Sequence, residues 1–247
     1  MKKIGIIGGI GWPSTMEYYR LICEASQKHH QNKTFSGPSP MPEIAIESLN
    51  MHFTVNNRGT SELGSWCTWD SYFQLACRRL EQSGAELILL ASVTPHARLE
   101  VISEGINVPV ISVYEAIGLH CKTRGIDNLL VLGTMPTMTS QAFKNGVAKF
   151  GVNTIYPPTE ELKTRVTEVI ERLYQNQIEG SSVAIDSIVR ASLPSDQLDT
   201  TVTCLACTEL PTGFRDASDK SEFEYKGIQY INSSVLHAIS AFDACIS

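Results

Sequence analysis

The run Thr201-Val202-Thr203-Cys204-Leu205-Ala206-Cys207-Thr208-Glu209-Leu210-Pro211 changes from apolar and β-branched to polar within two residues. A short buried run of this kind reads as a strand of a parallel sheet, and the polar turn after it marks the carboxyl end, where open α/β sheets hold their chemistry. Leu87-Ile88-Leu89-Leu90-Ala91-Ser92-Val93-Thr94-Pro95-His96 has the same layout, with Ser92 in place of a thiol. Around these two runs, short β segments alternate with helical periodicity, as in βαβ units.

Lys2–Ile7, Glu43–Leu49 and Val108–Val113 read as further strands. Helices are expected from Ser14, through the capping-box spacing Ser14-Thr15-Met16-Glu17, to about His30, over Trp69–Ser83 and over Tyr114–Thr123. The pattern then restarts with strands Asn128–Thr134 and Thr154–Tyr156, and helices from Thr137 to Phe150, Glu160 to Asn176 and Gly180 to Ala191. Each half therefore has an early strand ending in a small-residue turn and a late strand ending at Ser92 or Cys207. The expected division is 1–105 plus 225–247 against 106–224, with Ile228–Ile231 and the helix after Asn232 returning to the first lobe.

The bulk properties narrow the function classes. In 247 residues, 43% hydrophobic and 19% charged, a net charge of −6 leaves no basic stripe for a nucleic acid. No apolar run reaches the roughly 20 residues of a membrane span. The apolar part of the opening Met1–Gly9 is too short for a signal peptide and reads as a first strand. Seven cysteines without a framework fit free thiols and a cytoplasmic location.

Gly9-x-Gly11 lacks the third glycine of a dinucleotide fingerprint, because Ser14 stands there, so a plain strand-to-helix turn is expected. Cys204-x-x-Cys207 lies on a strand whose alternation points the two sulfurs to opposite faces, which argues against a redox pair or a metal site. Cys204, Cys23, Cys67, Cys77, Cys121 and Cys245 read as apolar fillers. Cys207 could be another, but Thr208-Glu209 follow at once. Backbone N–H groups at such a turn favour a thiolate, which can exchange a proton at a carbon beside a carboxylate. Ser92, Thr94 and His96, like Thr134 and Thr137, read either as helix caps or as a cradle for an anion. His96 and His237 read as structural or accessory groups.

Four ordered motifs resemble the aspartate/glutamate racemase family of cofactor-independent amino-acid racemases. They are Gly8-Gly9-Ile10-Gly11-Trp12-Pro13-Ser14-Thr15-Met16-Glu17-Tyr18-Tyr19-Arg20, Gly133-Thr134-Met135-Pro136-Thr137-Met138, Ala206-Cys207-Thr208-Glu209 and Asn232-Ser233-Ser234-Val235-Leu236-His237-Ala238. The resemblance implies two similar doubly wound α/β lobes related by pseudo-two-fold symmetry, with the active site in the cleft between them. It also implies a homodimer and two opposed acid/base residues acting on an acidic amino acid or related carboxylate, without pyridoxal phosphate or metal. The second of these residues falls on Cys207. The first falls on Ser92, where the family has a Cys or Thr in Cys-Asn-Thr-x-His. Ile10, Asn50, Val93, Thr94, Thr134, Thr137, Thr208 and Glu209 form the expected binding set, with His96 and His237 as accessories.

Ser92 is a poorer base than a thiol of pKa about 8.5. Val93 replaces an Asn, Asn232 replaces an acid, and the helix around Ile170 and Tyr174 lacks the Tyr and Lys that some members use on the substrate's side chain. Three readings stay open: a racemase, a single-thiol decarboxylase or isomerase of a small diacid, and a carboxylate-binding homologue without turnover.

Overall fold

The computed structural model describes residues 1–60, 62 and 64–247, and the chain divides into two compact units, Met1–Ser112 with His237–Ser247 and Val113–Leu236. The first unit contains β1 (Ile4–Gly8), α1 (Trp12–His30), β2 (Ile44–Ser48), α2 (Met51–Asn56), α3 (Cys67–Gln82), β3 (Leu87–Leu90), α4 (Leu99–Ile102) and β4 (Val110–Ile111). Its sheet is parallel throughout, in the order β2-β1-β3-β4. Period-two alternation sends Ile7, Ile88 and Leu90 against Trp69, Phe73, Ala76 and Leu80 of α3.

The second unit contains α5 (Val113–Arg124), β5 (Asn128–Gly133), α6 (Met135–Thr139), α7 (Gln141–Ala148), β6 (Asn153–Ile155), α8 (Glu160–Tyr174), α9 (Ser181–Ser192), β7 (Val202–Ala206), β8 (Glu222–Tyr225) and β9 (Ile228–Asn232). The strand order is β6-β5-β7-β9-β8, and only the β8–β9 pair is antiparallel. Leu130, Leu132 and Leu205 pack with Val166, Val169 and Ile170 of α8 and Ile185, Ile188 and Val189 of α9. Helix α10 (Ser233–Ile246) leaves the second unit at Leu236 and enters the first at His237. Among the described residues, no helix is long and apolar enough to cross a membrane.

The order β6-β5-β7-β9 repeats β2-β1-β3-β4, so β3 and β7, which end before Ser92 and Cys207, occupy the same topological place. Mixed α/β units with parallel sheets are therefore as expected. The boundaries differ. The first crossing falls after Ser112, and β9 belongs to the second sheet, with Thr203 opposite Tyr230 on its parallel neighbour. What holds β9 there is burial: Tyr230 is 1% exposed, stacks on Phe223 at 5.2 Å and meets Phe214 at 5.0 Å. The hairpin to β8 was not anticipated. Its two-residue turn, Lys226-Gly227, has φ of 50° and 79°, the paired positive values of the tight turns that match strand twist.

Two helices also depart from expectation. Helix α1 starts at Trp12 with Gly11 as its cap, and Ser14 lies inside the first turn. Pro13 presets that turn, and Thr15 Oγ1 accepts from the Gly9 N–H at 2.8 Å. The helix expected over 137–150 breaks at Ser140, which is extended (ψ 153°).

Gly9 is required where β1 ends. Its φ is +71°, and a Cβ there would lie 2.1 Å from the Leu49 carbonyl oxygen. Gly151 has a similar φ of +83° with nothing within 4 Å of a Cβ. Gly151→Ala should cost only the left-handed penalty of about 1–2 kcal/mol. Gly9→Ala should cost above about 4 kcal/mol, because backbone must move as well. Equal urea midpoints for the two variants would show that close packing at Gly9 is unimportant.

Candidate active site

In the first unit three neighbouring strands stop together. Gly8 is level with Ser48, Ile7 with Leu90, and the ladder continues one bond further on each side, Leu49 N–H to Gly8 O and Ala91 N–H to Ile7 O, both 2.9 Å. Ile10, Asn50 and Ser92 to Thr94 therefore all emerge at one sheet edge. Ile10 and Val93 are each 2% exposed, so both residues are buried at this edge. Asn50 caps α2, accepting from the Phe53 N–H at 3.3 Å. Ser92 leaves the ladder at once: its N–H turns back to Leu90 O at 2.7 Å. A 3₁₀ turn, Thr94–Arg98, follows, and it is anchored to α3 by the Arg98 Nε to buried Asp70 Oδ1 bond of 3.1 Å.

His96 and His237 are buried, and their partners are backbone carbonyls. His96 Nδ1 lies 3.0 Å from Ser92 O, and His237 Nε2 lies 2.9 Å from Ile111 O. A carbonyl can only accept, so these two nitrogens carry the protons. The other nitrogen of His237, Nδ1, then accepts from the Tyr18 hydroxyl at 3.0 Å. The two imidazoles meet edge to face at 5.1 Å. Burial lowers His96 to about 4, and burial together with His96 lowers His237 to about 3. Both rings are neutral near pH 7. An accessory role for His96 therefore begins at the backbone of Ser92.

In the second unit Gly133 is level with Ala206, so Thr134 and Cys207 are the next residues on adjacent strands. Leu205 is level with Asn232, and Ser233 donates to Leu205 O at 2.7 Å. Cys207 is 5% exposed, and its Sγ donates to Glu209 Oε2 at 3.0 Å. The Thr208 hydroxyl donates to the same oxygen at 2.9 Å. Glu209 is itself 4% exposed, and its backbone carbonyl is fixed by the Thr212 N–H and hydroxyl at 2.9 and 2.7 Å. A buried carboxylate beside a thiol gives the sulfur's proton somewhere to go. Thr134 and Thr137 join hydroxyls at 3.1 Å.

Of the other sulfurs, Cys77, Cys121, Cys204 and Cys245 are buried fillers as expected and Cys23 is half-buried, whereas Cys67 is exposed and fills no core. Burial pushes Cys77 and Cys121 up to about 12 and Cys204 well above the ordinary thiol value, with Cys23 and Cys245 also raised. Asn232 caps α10: its Oδ1 accepts from the Ser234 N–H at 3.0 Å while its Nδ2 donates to Ser218 O at 2.8 Å. A carboxylate could make the first bond but not the second. Tyr18 escaped the sequence reading because its partner is 219 positions away.

The lowered histidines make stability depend on pH. Between about 6.5 and their folded values the unfolded chain binds more protons, so stability is full above 6.5 and declines as pH falls. Each ring should contribute a slope of about 1.4 kcal/mol per pH unit. Urea unfolding at pH 6.5 and 5 should show His237→Gln losing less stability across that interval than the parent; an equal loss would mean that His237 does not titrate in this way.

Comparison with known proteins gives the chain a family. A candidate Asp/Glu racemase from Yersinia pestis matches it with a TM-score of 0.80 and 23% identity, over 100% of both chains. An aspartate racemase homologue from Pyrococcus horikoshii OT3 matches with a TM-score of 0.76 and 25% identity, again over 100% of both. A glutamate racemase of Koribacter versatilis (strain Ellin345) is 31% identical over an alignment of 150 residues that covers 55% of this chain and 46% of that relative, so the chain spans less than half of the relative's length. The family described as Asp/Glu/Hydantoin racemase matches residues 7–241, and this chain belongs to it.

Proposed function

We propose that the protein is a cofactor-independent racemase of an acidic amino acid, in which Cys207 and Ser92 handle the α-proton on opposite faces of Cα. The observation that carries this reading is the Cys207 thiol bonded at 3.0 Å to buried Glu209, at a strand end topologically equivalent to the one that presents Ser92. The acidic substrate class is supported by the family and by what its relatives are named for.

In one direction the Glu209 carboxylate takes the sulfur's proton, and the resulting thiolate removes the proton from Cα. The electron pair left on carbon spreads into the α-carboxylate, which Thr94, Thr134, Thr137 and Thr208 hold. Ser92 then delivers a proton to the other face, and the proton on Glu209 returns through solvent to the serine oxygen. A hydroxyl gives up its proton far less readily than a thiol, so the Ser92 step is the slow one. The first strand end limits the rate, while the equilibrium between enantiomers stays where chemistry puts it.

The test is incubation with L- and D-aspartate and glutamate in D₂O, with α-proton exchange followed by NMR and inversion by chiral chromatography. Inversion accompanied by exchange is expected. Cys207→Ala should lower both by at least about 100-fold, the ordinary yield of a positioned acid/base group. Ser92→Cys should raise the rate of inversion by about tenfold or more. An unchanged rate in Ser92→Cys would remove Ser92 from the assignment, and exchange with retained configuration would identify one-base chemistry at Cys207.

A further inference from the structure

Behind Ser92 lies a chain of hydrogen bonds and a ring contact that reaches far from the strand carrying it. The Ser92 carbonyl accepts from His96 Nδ1 at 3.0 Å. His96 Nε2 carries no proton when Nδ1 does, so its 3.4 Å approach to Ile111 O is a packing contact, and Ile111 O accepts from His237 Nε2 at 2.9 Å. His237 Nδ1 accepts from the hydroxyl of Tyr18 at 3.0 Å. Tyr18 and His237 are fully buried, and His96 is 3% exposed, so each ring is gripped by packing as well as by its bonds. Tyr18 belongs to α1, His237 to α10, Ile111 to β4, and His96 to the 3₁₀ turn. Four separate segments thus meet behind one serine.

We propose that Tyr18 and His237 are positioning residues for Ser92, acting through the edge-to-face contact of the two imidazoles and the His96 bond to the Ser92 carbonyl. The Tyr18 hydroxyl fixes the tautomer of His237 by occupying Nδ1, which leaves Nε2–H for Ile111 O. The edge-to-face contact between the imidazoles, at 5.1 Å and 79°, then fixes the plane of His96 and with it the peptide of Ser92. Neither residue touches substrate in this scheme, and the proposal rests on the racemase reading for its catalytic consequence.

Two readouts separate it from a general loss of structure. In Tyr18→Phe the ring remains and one hydroxyl is lost. Inversion should fall about five- to tenfold through kcat, with KM unchanged, the size expected of one lost buried hydrogen bond. Exchange at the face served by Cys207 should persist, so the ratio of exchange to inversion rises by the same factor. His237→Gln, whose amide can still donate to Ile111 O, should keep that ratio closer to the parent's than His237→Phe does. The second readout needs no turnover. Nitrogen NMR of the imidazoles should find His237 protonated on Nε2 and His96 on Nδ1, and Tyr18→Phe should shift both the His96 ring and the Ser92 amide. An unchanged exchange-to-inversion ratio in Tyr18→Phe, or an unmoved Ser92 amide, overturns the proposal. A parent that neither exchanges nor inverts any acidic amino acid overturns the racemase reading and the catalytic consequence here, while the NMR measurement still decides whether the chain of contacts exists.

Discussion

The chemistry of this protein depends on where parallel strands stop. Parallel pairing forces every strand of a sheet to present its carboxyl end on the same edge, and the registers here bring neighbouring strands to that edge within one residue of each other. The side chains that follow are thereby gathered without any local sequence proximity. Ile10, Leu49 and Ser92 converge in one unit, and Thr134, Cys207 and Ser233 in the other. Burial of the central strands supplies the stability, since a fully buried Ile or Leu contributes about 1.5–3 kcal/mol. The strand ends mix residues that finish the core, such as Ile10, Leu49 and Leu210, with polar groups such as Thr134 and Glu209.

The two units hold the residue that follows the central strand differently. At Cys207 the support is local: a thiol, a hydroxyl and a carboxylate at three successive positions close on one oxygen. At Ser92 it is distributed, because the residue turns off its ladder and its carbonyl is taken by an imidazole four positions on. Of the two strand ends, the one that carries Ser92 has the more extended support.

What the sequence made legible follows from this difference. Buried β-branched and leucine-rich runs declared the parallel strands, and the apolar-to-polar switch located Ser92 and Cys207. Interactions closed within three residues, such as Cys207 with Glu209, lie within reach of such reading. The Tyr18–His237 bond does not, because a tyrosine on a helix gives no sign of which distant nitrogen will take its proton. The allegiance of β9 was hidden for a related reason. Its apolar alternation fits either sheet, and the choice is made by Phe214, which follows the 3₁₀ turn Leu210–Gly213, and by Phe223, whose strand begins only after an irregular stretch. The start of α1 was misread because Ser14 has the right chemistry for a cap, whereas Pro13 and the Gly9–Thr15 bond set the first turn two residues earlier.

Asn232 also has an electrostatic meaning. It is 1% exposed and stands level with Leu205, two residues short of Cys207. An ionised side chain there would add a second fixed anion to a strand edge that already buries Glu209, in surroundings where charges are poorly screened. The amide spares the edge that repulsion while keeping the helix start intact. A molecule bringing its own carboxylates would therefore meet one full negative charge fewer than it would with an aspartate at this position.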